Sequence, residues 1–486
     1  MFFFDPAATD APAPATNQSI LVGDDAVALH VAQRRDFCTT DIAHDAASRC
    51  GGSAHDTAAW ERFEMAAAAS PFGAASPPAA LPRSTEAVAR ARVRAMAVRY
   101  DPSGRMLAMG LQHPGVIVAA AEGFAKGLQV LAQDHGRHLG WALLDVSWHR
   151  TGGYMVRCGW SSSVVVLRPS EDGHLTGPWQ SHSLDAHRLA NNSRMGIFSC
   201  ALMGDTVVAG TTGGMVFAAD LETEQVRACS YDHSLDCNAV CAVSEASGVY
   251  ASGGDDGVIM VTDLRAQRSS ACFGHSHGIT SLDARGDDRY ICSNSKDQTI
   301  KVFDLRMATH EVAEVRAARQ QAHLALGVND YRAGPPLHVT YVNTRSDNSC
   351  LTLSGHQVYY TLLRARFSPL DSTGGRFIAC GSIDGRIAIF DIVTQEVSFA
   401  GDTRYTEIVR DVAWHPDGTR IAAACSDGCV RVLGPTLNDH DADARVYSRT
   451  QPITPRPGAV VRDADGTDGD TDDTDDVRDV DTDDDE

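Results

Sequence analysis

Residues 287–306 read DDRYICSNSKDQTIKVFDLR: an apolar run at Tyr290, Ile291 and Cys292, a polar turn, and a second apolar run through Ile300, Val302 and Phe303 that ends on Asp-Leu-Arg. Two short apolar runs around a turn predict a β-hairpin. The phrase recurs as VYASGGDDGVIMVTDLR from Val249, RFIACGSIDGRIAIFDI from Arg376 and RIAAACSDGCVRVL from Arg420. Their turn positions, Gly257, Gln298, Gly385 and Gly428, lie about one or two steps of roughly 40–45 residues apart, a period at which each repeat is one small sheet. Three looser copies come earlier, with apolar runs at 98–100, 107–109 and 116–118, at 143–148, 154–158 and 164–167, and at 197–201, 207–210 and 215–218.

The count is seven, and it predicts an all-β chain folded as a seven-bladed WD40 β-propeller over residues 93–433. Residues 307–354 interrupt the series after the fifth unit with little alternation. Structureless connections beyond about 15 residues are uncommon unless functional or disordered, so the segment is either a long insertion or an eighth blade that has lost its pattern. Residues 1–85 are rich in Ala, Pro, Ser and Asp and read as low-complexity linker or disorder. One island there, Asp56 followed by Trp60, Phe63 and Met65, predicts a short helix with a partial apolar face.

Length alone, 486 residues, would allow two or three domains, but the repeat overrides that prior. The formal charge of −21 speaks against direct nucleic-acid binding, which needs a basic face. Much of that charge sits in residues 463–486, where Asp, Thr and Gly dominate around a single Arg478, the composition of a disordered acidic tail behind a linker at 434–462. Such a tail either solvates the protein or docks on a basic surface, with Arg90, Arg92 and Arg94 as one candidate. The 13 Cys are scattered without a CxxC pair, so neither a disulfide framework nor a zinc finger is expected, and Cys237, Cys241, Cys425 and Cys429 read as small buried apolar residues. The N-terminal Met-Phe-Phe-Phe is interrupted by Asp5 and Pro6, so neither a signal peptide nor a membrane span is expected, and the expected location is nuclear or cytoplasmic.

In a WD blade a His, a Ser or Thr, the turn Asp and a Trp form a buried hydrogen-bonded set. The fifth unit offers His275, Ser293 and Asp297 with Phe303 in the Trp place; the sixth offers His356 with Asp384, the fourth a weaker pair in His233 with Asp256, and the seventh Asp427. A Ser, His and Asp together could form a nucleophilic triad, but in this repeat context they read as structural. The glycines fall in hairpin turns rather than in a phosphate loop that opens a helix, and no pair of carboxylates is marked out among the turn Asp residues. Neither catalysis nor a cofactor nor a metal is expected.

Several longer stretches carry a more specific resemblance. They are 278–301, 140–146, 363–369 with 372–374, 409–416, and Asn329-Asp330-Tyr331-Arg332 in the insertion. Over about residues 93–433 the chain resembles the family of WD repeat-containing protein 23, substrate receptors of cullin-4 RING ubiquitin ligases, and its plant relatives. The resemblance implies a non-catalytic subunit that binds the damaged-DNA-binding-protein adaptor of the cullin-RING complex and presents protein substrates for ubiquitination. Receptors of this class carry Trp-Asp-x-Arg at blade ends, and the matching residues are Asp263 with Arg265 and Asp304 with Arg306, where Thr262 and Phe303 replace Trp. A WD40 scaffold with no link to ubiquitin is the other reading.

Overall fold

The structure, a computed structural model, describes residues 21–22, 81–82, 84–91, 93–113, 115–121, 129–134, 142–168, 180–185, 195–326, 347–400 and 407–435. They form seven antiparallel sheets, six of four strands and one of five. The chain is a seven-bladed β-propeller. Blade 4 shows the plan: strands Cys237–Ser244, Val249–Gly254, Val258–Asp263 and Arg268–Phe273 lie side by side in sequence order. Because the strands alternate in direction, the turns between first and second and between third and fourth strands share one face of the ring. The second-to-third turns and the connections to the next blade share the other.

Sheets stacked around a ring are covered on both sides, which is why the inner strands are near-continuous apolar runs instead of alternating ones. Met106–Leu111 in blade 1 and Cys429–Gly434 in blade 7 are buried at every position. The peripheral fourth strands are less covered, and Val226–Ser230 of blade 3 alternates between half-buried and exposed positions. The apolar cores lie between blades; one joins Ala413, Ala422 and Val432 of blade 7 to Val98, Leu107 and Ile117 of blade 1. Indole N–H groups add stitches across two of these seams, Trp148 to the Arg99 carbonyl and Trp414 to the Arg366 carbonyl, each at 3.3 Å.

The ring closes with a strand that the repeat pattern does not show. Ser84–Arg90 pairs antiparallel with Cys429–Gly434, from Ser84 opposite Gly434 to Arg90 opposite Cys429, so the fourth strand of blade 7 comes from ahead of blade 1. Leu21–Val22 pairs on its outer side. The interrupting segment also changes place: its end, Leu351–Ser354, is the fourth strand of blade 5, paired with Thr299–Asp304. Residues 307–350 are therefore an insertion inside blade 5, and seven sheets leave no eighth blade among the described residues. The insertion contains a helix, α1 (Val312–Leu326), whose Val315 and Ala318 pack on Val258, Ala271 and Phe273 of blade 4. The Trp60 island, Asn329-Asp330-Tyr331-Arg332 and the acidic tail lie outside the described residues.

Candidate functional site

The buried polar sets come first, because they fix the turns that carry everything else. In blade 5, His275 Nδ1 meets Asp297 Oδ2 at 2.8 Å and its Nε2 meets Ser293 Oγ at 2.6 Å. Asp297 also accepts the Ser276 N–H at 3.1 Å and the Thr299 N–H at 3.0 Å. Burial alone would raise the Asp297 carboxyl, but His275, the Thr299 hydroxyl and Lys301 outweigh it and hold the carboxyl well below the usual range. Phe303 is fully buried with its ring edge-on to His275, so it fills the Trp place with bulk and supplies no donor.

Blade 4 holds a set as complete as that of blade 5. His233 Nδ1 lies 3.0 Å from Asp256 and Nε2 lies 2.9 Å from Ser252, a serine that sequence reading passed over. Arg319 of α1 adds an ion pair to Asp256 at 3.0 Å. In blade 6 the expected pair of His356 with Asp384 does not form. His356 Nε2 is bonded to Asn294 Oδ1 at 2.7 Å, and Asp384 takes Arg386 Nε at 2.7 Å instead. The reason is local: Asn294, fully buried in the neighbouring blade, reaches the imidazole first, while Arg386 two residues on offers Asp384 a charged partner. Asp427 caps its turn by accepting the Cys429 N–H at 2.8 Å and pairs with Arg431 at 2.5 Å.

Asp263 with Arg265 and Asp304 with Arg306 occupy the third-to-fourth turns of adjacent blades, on one face. Their settings differ. Asp263 is half-buried and accepts the backbone N–H groups of Ala266 and Arg265 at 3.0 and 2.8 Å, which lower its pKa. The exposed Arg265 makes no ion pair among the described residues, and its stem lies over Gly248. Asp304, only 1% exposed, binds Arg306 Nη2 at 2.5 Å and Arg289 Nη2 at 3.1 Å, while Arg306 stays 54% exposed.

A third cluster lies on the axis, where each blade contributes residues from its innermost strand. Arg364 joins Asp145 at 2.9 Å and Asp411 at 3.3 Å, Arg99 joins Asp411 at 3.4 Å, and Arg366 joins Asp283 at 3.1 Å. Three arginines face three aspartates, and all of them but Asp411 line a cavity of about 170 Å3 together with Ser199, Asn238 and Thr280. The carboxylates continue from blade to blade: Asp283 accepts the Phe367 N–H at 2.9 Å and Asp411 the Val98 N–H at 3.1 Å. Desolvation, with Asp411 and Asp145 adding to it, pushes Asp283 up to about 7 against the pull of Arg99 and the Phe367 N–H. Asp145 and Asp411 hold the same first-strand position in blades 2 and 7, but Ser199 and Ser281 stand there in blades 3 and 5, so the repeat carries little signal for the cluster.

Among the described residues no group of three or more His, Cys, Asp or Glu is placed to hold a metal. Cys237, Cys241, Cys425 and Cys429 are buried free thiols. No helix among the described residues is long and apolar enough to cross a membrane.

The family model "WD domain, G-beta repeat" matches residues 267–304 and 396–432. Each window runs from the fourth strand of one blade through the third of the next. The chain is 34% identical over 303 residues to the "DDB1- and CUL4-associated factor 11 homolog" of Caenorhabditis briggsae, covering 60% of this chain and 53% of that protein. It is 34% identical over 309 residues to the Caenorhabditis elegans protein of the same name, covering 60% and 52%. The "LEC14B homolog" of Prunus armeniaca is 30% identical over 316 residues, 63% of this chain and 65% of that one. The chain thus spans about half to two thirds of the length of the curated relatives it matches. On its propeller the chain is similar to the nematode DDB1- and CUL4-associated factor 11 homologs and to the plant LEC14B proteins, and it carries WD repeats.

Proposed function

We propose that the protein is a non-catalytic substrate-recognition subunit of a cullin-4 RING ubiquitin ligase, working in the nucleus or cytoplasm. Relatives that carry "DDB1- and CUL4-associated" in their names motivate the reading. The observation that carries it is the pair of exposed arginines, Arg265 and Arg306, repeated in two adjacent blades on one face. On this reading Asp263 and Asp304 orient the two turns, and the damaged-DNA-binding-protein adaptor docks on that face. The mechanism is proximity: a bound substrate lysine is held at high effective concentration near a charged conjugating enzyme, so the receptor supplies surfaces and no reacting group. The test is recovery of partners with the tagged full chain. Adaptor and cullin together support the reading; a stable complex that lacks both favours a scaffold unrelated to ubiquitin.

A further inference from the structure

The axial cavity has a shape that the strand register explains. In blades 1 to 5 the first strand carries a bulge, and the same number of residues beyond it stand Arg99, Ser147, Ala201, Cys241 and Asp283 in turn. Blades 2, 3 and 4 therefore put three small side chains at this level and leave room. Arg99 and Asp283 stand on the side of blades 1 and 5, where Arg366 of blade 6 joins them, and all six residues line the cavity.

Around this room the acceptors are used up and the donors are not. Asp145 accepts the Val146 N–H at 2.8 Å, the Ser199 hydroxyl at 2.7 Å, the Cys200 N–H at 3.4 Å and the Arg364 guanidinium at 2.9 Å. That fills the roughly four lone-pair sites of a carboxylate. Asp411, which does not line the cavity, is taken by the Val98 and Val412 N–H groups at 3.1 and 3.0 Å and by Arg364. The other guanidiniums are less well served. Arg366 gives Nη1 to Asp283 at 3.1 Å, but its buried Nε has no hydrogen-bond partner, with Asp411 3.8 Å away. Arg99 Nη2 stands 3.7 Å from Asp145, beyond hydrogen-bond range. A buried donor left without an acceptor is costly, and more so on a charged group.

The charge points the same way. Desolvation raises Asp283 to about 7 against the pull of Arg99, with Asp411 and Asp145 adding to the rise. Its proton leaves three guanidiniums against two carboxylates. Cys241 and Cys292, the thiols that face Asp283, are pushed up by burial and stay protonated. A cation would meet filled carboxylates and bare guanidiniums, whereas an anion would meet the free donors. Size limits the anion: a cavity of about 150 Å3 holds benzene, so 170 Å3 admits a molecule of about six non-hydrogen atoms.

We propose that the axial cavity is a binding site for a free, phosphate-sized oxyanion held between the Arg99 and Arg366 guanidiniums. A guanidinium fork matches the paired oxygens of such an ion, which takes the donors that Asp145 and Asp411 have no room for. Arg99 belongs to blade 1 and Arg366 to blade 6, the two neighbours of blade 7, where the ring closes. The bound ion thus ties the closure together from inside. The site is independent of the adaptor reading, and neither needs the other.

The experiment is equilibrium dialysis of the purified full chain with radiolabelled sulfate, whose charge is constant across the range used, at an ionic strength fixed with chloride. The wild type should bind one sulfate per chain, and inorganic phosphate should displace it. Affinity should be up to about tenfold higher near pH 6 than near pH 8, because the proton on Asp283 is present at the first and lost at the second. Asp283→Asn should keep the higher affinity at both pH values. Arg366→Gln should lose about tenfold or more. Should Arg366→Gln unfold in a melting scan, the gain at pH 8 in Asp283→Asn still decides. The proposal is overturned if the wild type shows no saturable binding near pH 6, or if Asp283→Asn follows the wild type at both pH values. Sulfate that binds at several equivalents and ignores both substitutions is an adventitious ion only, and overturns it too.

Discussion

Blades 4 and 5 end their third strands on the same Asp-Leu-Arg and hold the same His-Ser-Asp set, yet they present different surfaces. The residue before the second strand is Gly248 in one and Arg289 in the other, and in both blades the next residue pairs with the turn aspartate. With glycine there, Arg265 folds its stem over the gap and leaves its guanidinium at the surface. With arginine there, Asp304 is shared, and Arg306 is pinned beside Arg289. Blade 6 repeats the second solution without the turn arginine, since Arg376 holds Asp391 at 2.6 Å and Val393 follows. The hydrogen-bonded set makes a blade, and single residues at the edges of its turns decide what the blade shows to a partner.

The largest effect that bears on this comparison is loss of the turn aspartates. Asp297→Ala strands His275, the Ser276 N–H and the Thr299 N–H in a buried site, and should destabilise the protein by about 3 kcal/mol in urea unfolding. Asp256→Ala should cost a similar amount and, because Arg319 loses its ion pair and keeps only the Asp232 carbonyl, should also make α1 more open to trypsin at native temperature. Unchanged unfolding midpoints would remove the shared set as the basis of the comparison.

His356, captured by Asn294 instead of Asp384, gives a pH test. Burial holds its pKa down to about 4, against the opposing pull of Asp297 and Asp384, while an unfolded histidine titrates near about 6.5. Between those values the unfolded chain binds a proton that the folded one refuses, so this contribution is complete above about pH 6.5 and is lost as pH falls toward 4, by roughly 2–3 kcal/mol. Asp283 works in the opposite sense, since its raised pKa favours the fold at low pH and that contribution fades as pH rises toward 7. The useful quantity is therefore the difference between wild type and His356→Gln. The wild type should lose more stability between pH 7 and pH 4.5, and equal losses would contradict the burial argument.

The smallest effect concerns the turn that differs most between the two blades. Gln298 stands at φ +71° and its amide clamps the N–H and carbonyl of Val358, so Gln298→Gly relaxes a strained backbone but removes the clamp, for a net loss of about 1 kcal/mol. Gly257→Gln in blade 4 should cost a similar amount for strain alone. A Gln298→Gly protein more stable than wild type would mean that the clamp contributes nothing.

Where the blade pattern was legible, it was because each second-to-third hairpin is local and its turn Asp recurs in sequence. Pairings formed across distance were not. Ser84–Arg90 finds its partner at the far end of the chain, and Leu351–Ser354 is cut off from blade 5 by the insertion. The outer strands are short and half-exposed, so Val130–Gln133 carries little pattern of its own. His356 was misassigned because its nearest acceptor, Asn294, belongs to another blade's strand, which spacing within the unit cannot reveal. The axial cluster escaped for the same reason: Arg364, Asp145 and Asp411 come from three blades and meet only when the ring closes. For Arg265 and Arg306, the motif marked their positions, while the difference between a surface arginine and a pinned one depended on Gly248 and Arg289 before the second strand.

The central claim, that one face of the ring binds an adaptor through these two turns, is tested most directly by titrating the purified damaged-DNA-binding-protein adaptor against wild type and Arg265→Ala/Arg306→Ala. Both side chains are exposed, and Asp304 keeps Arg289 when Arg306 is removed, so the fold should change by no more than about 0.5 kcal/mol. Loss of two interface arginines should weaken binding by at least about 2 kcal/mol, roughly thirtyfold, with the melting temperature unchanged. A wild type that does not bind the adaptor, or a double variant that binds it equally well, would contradict the account.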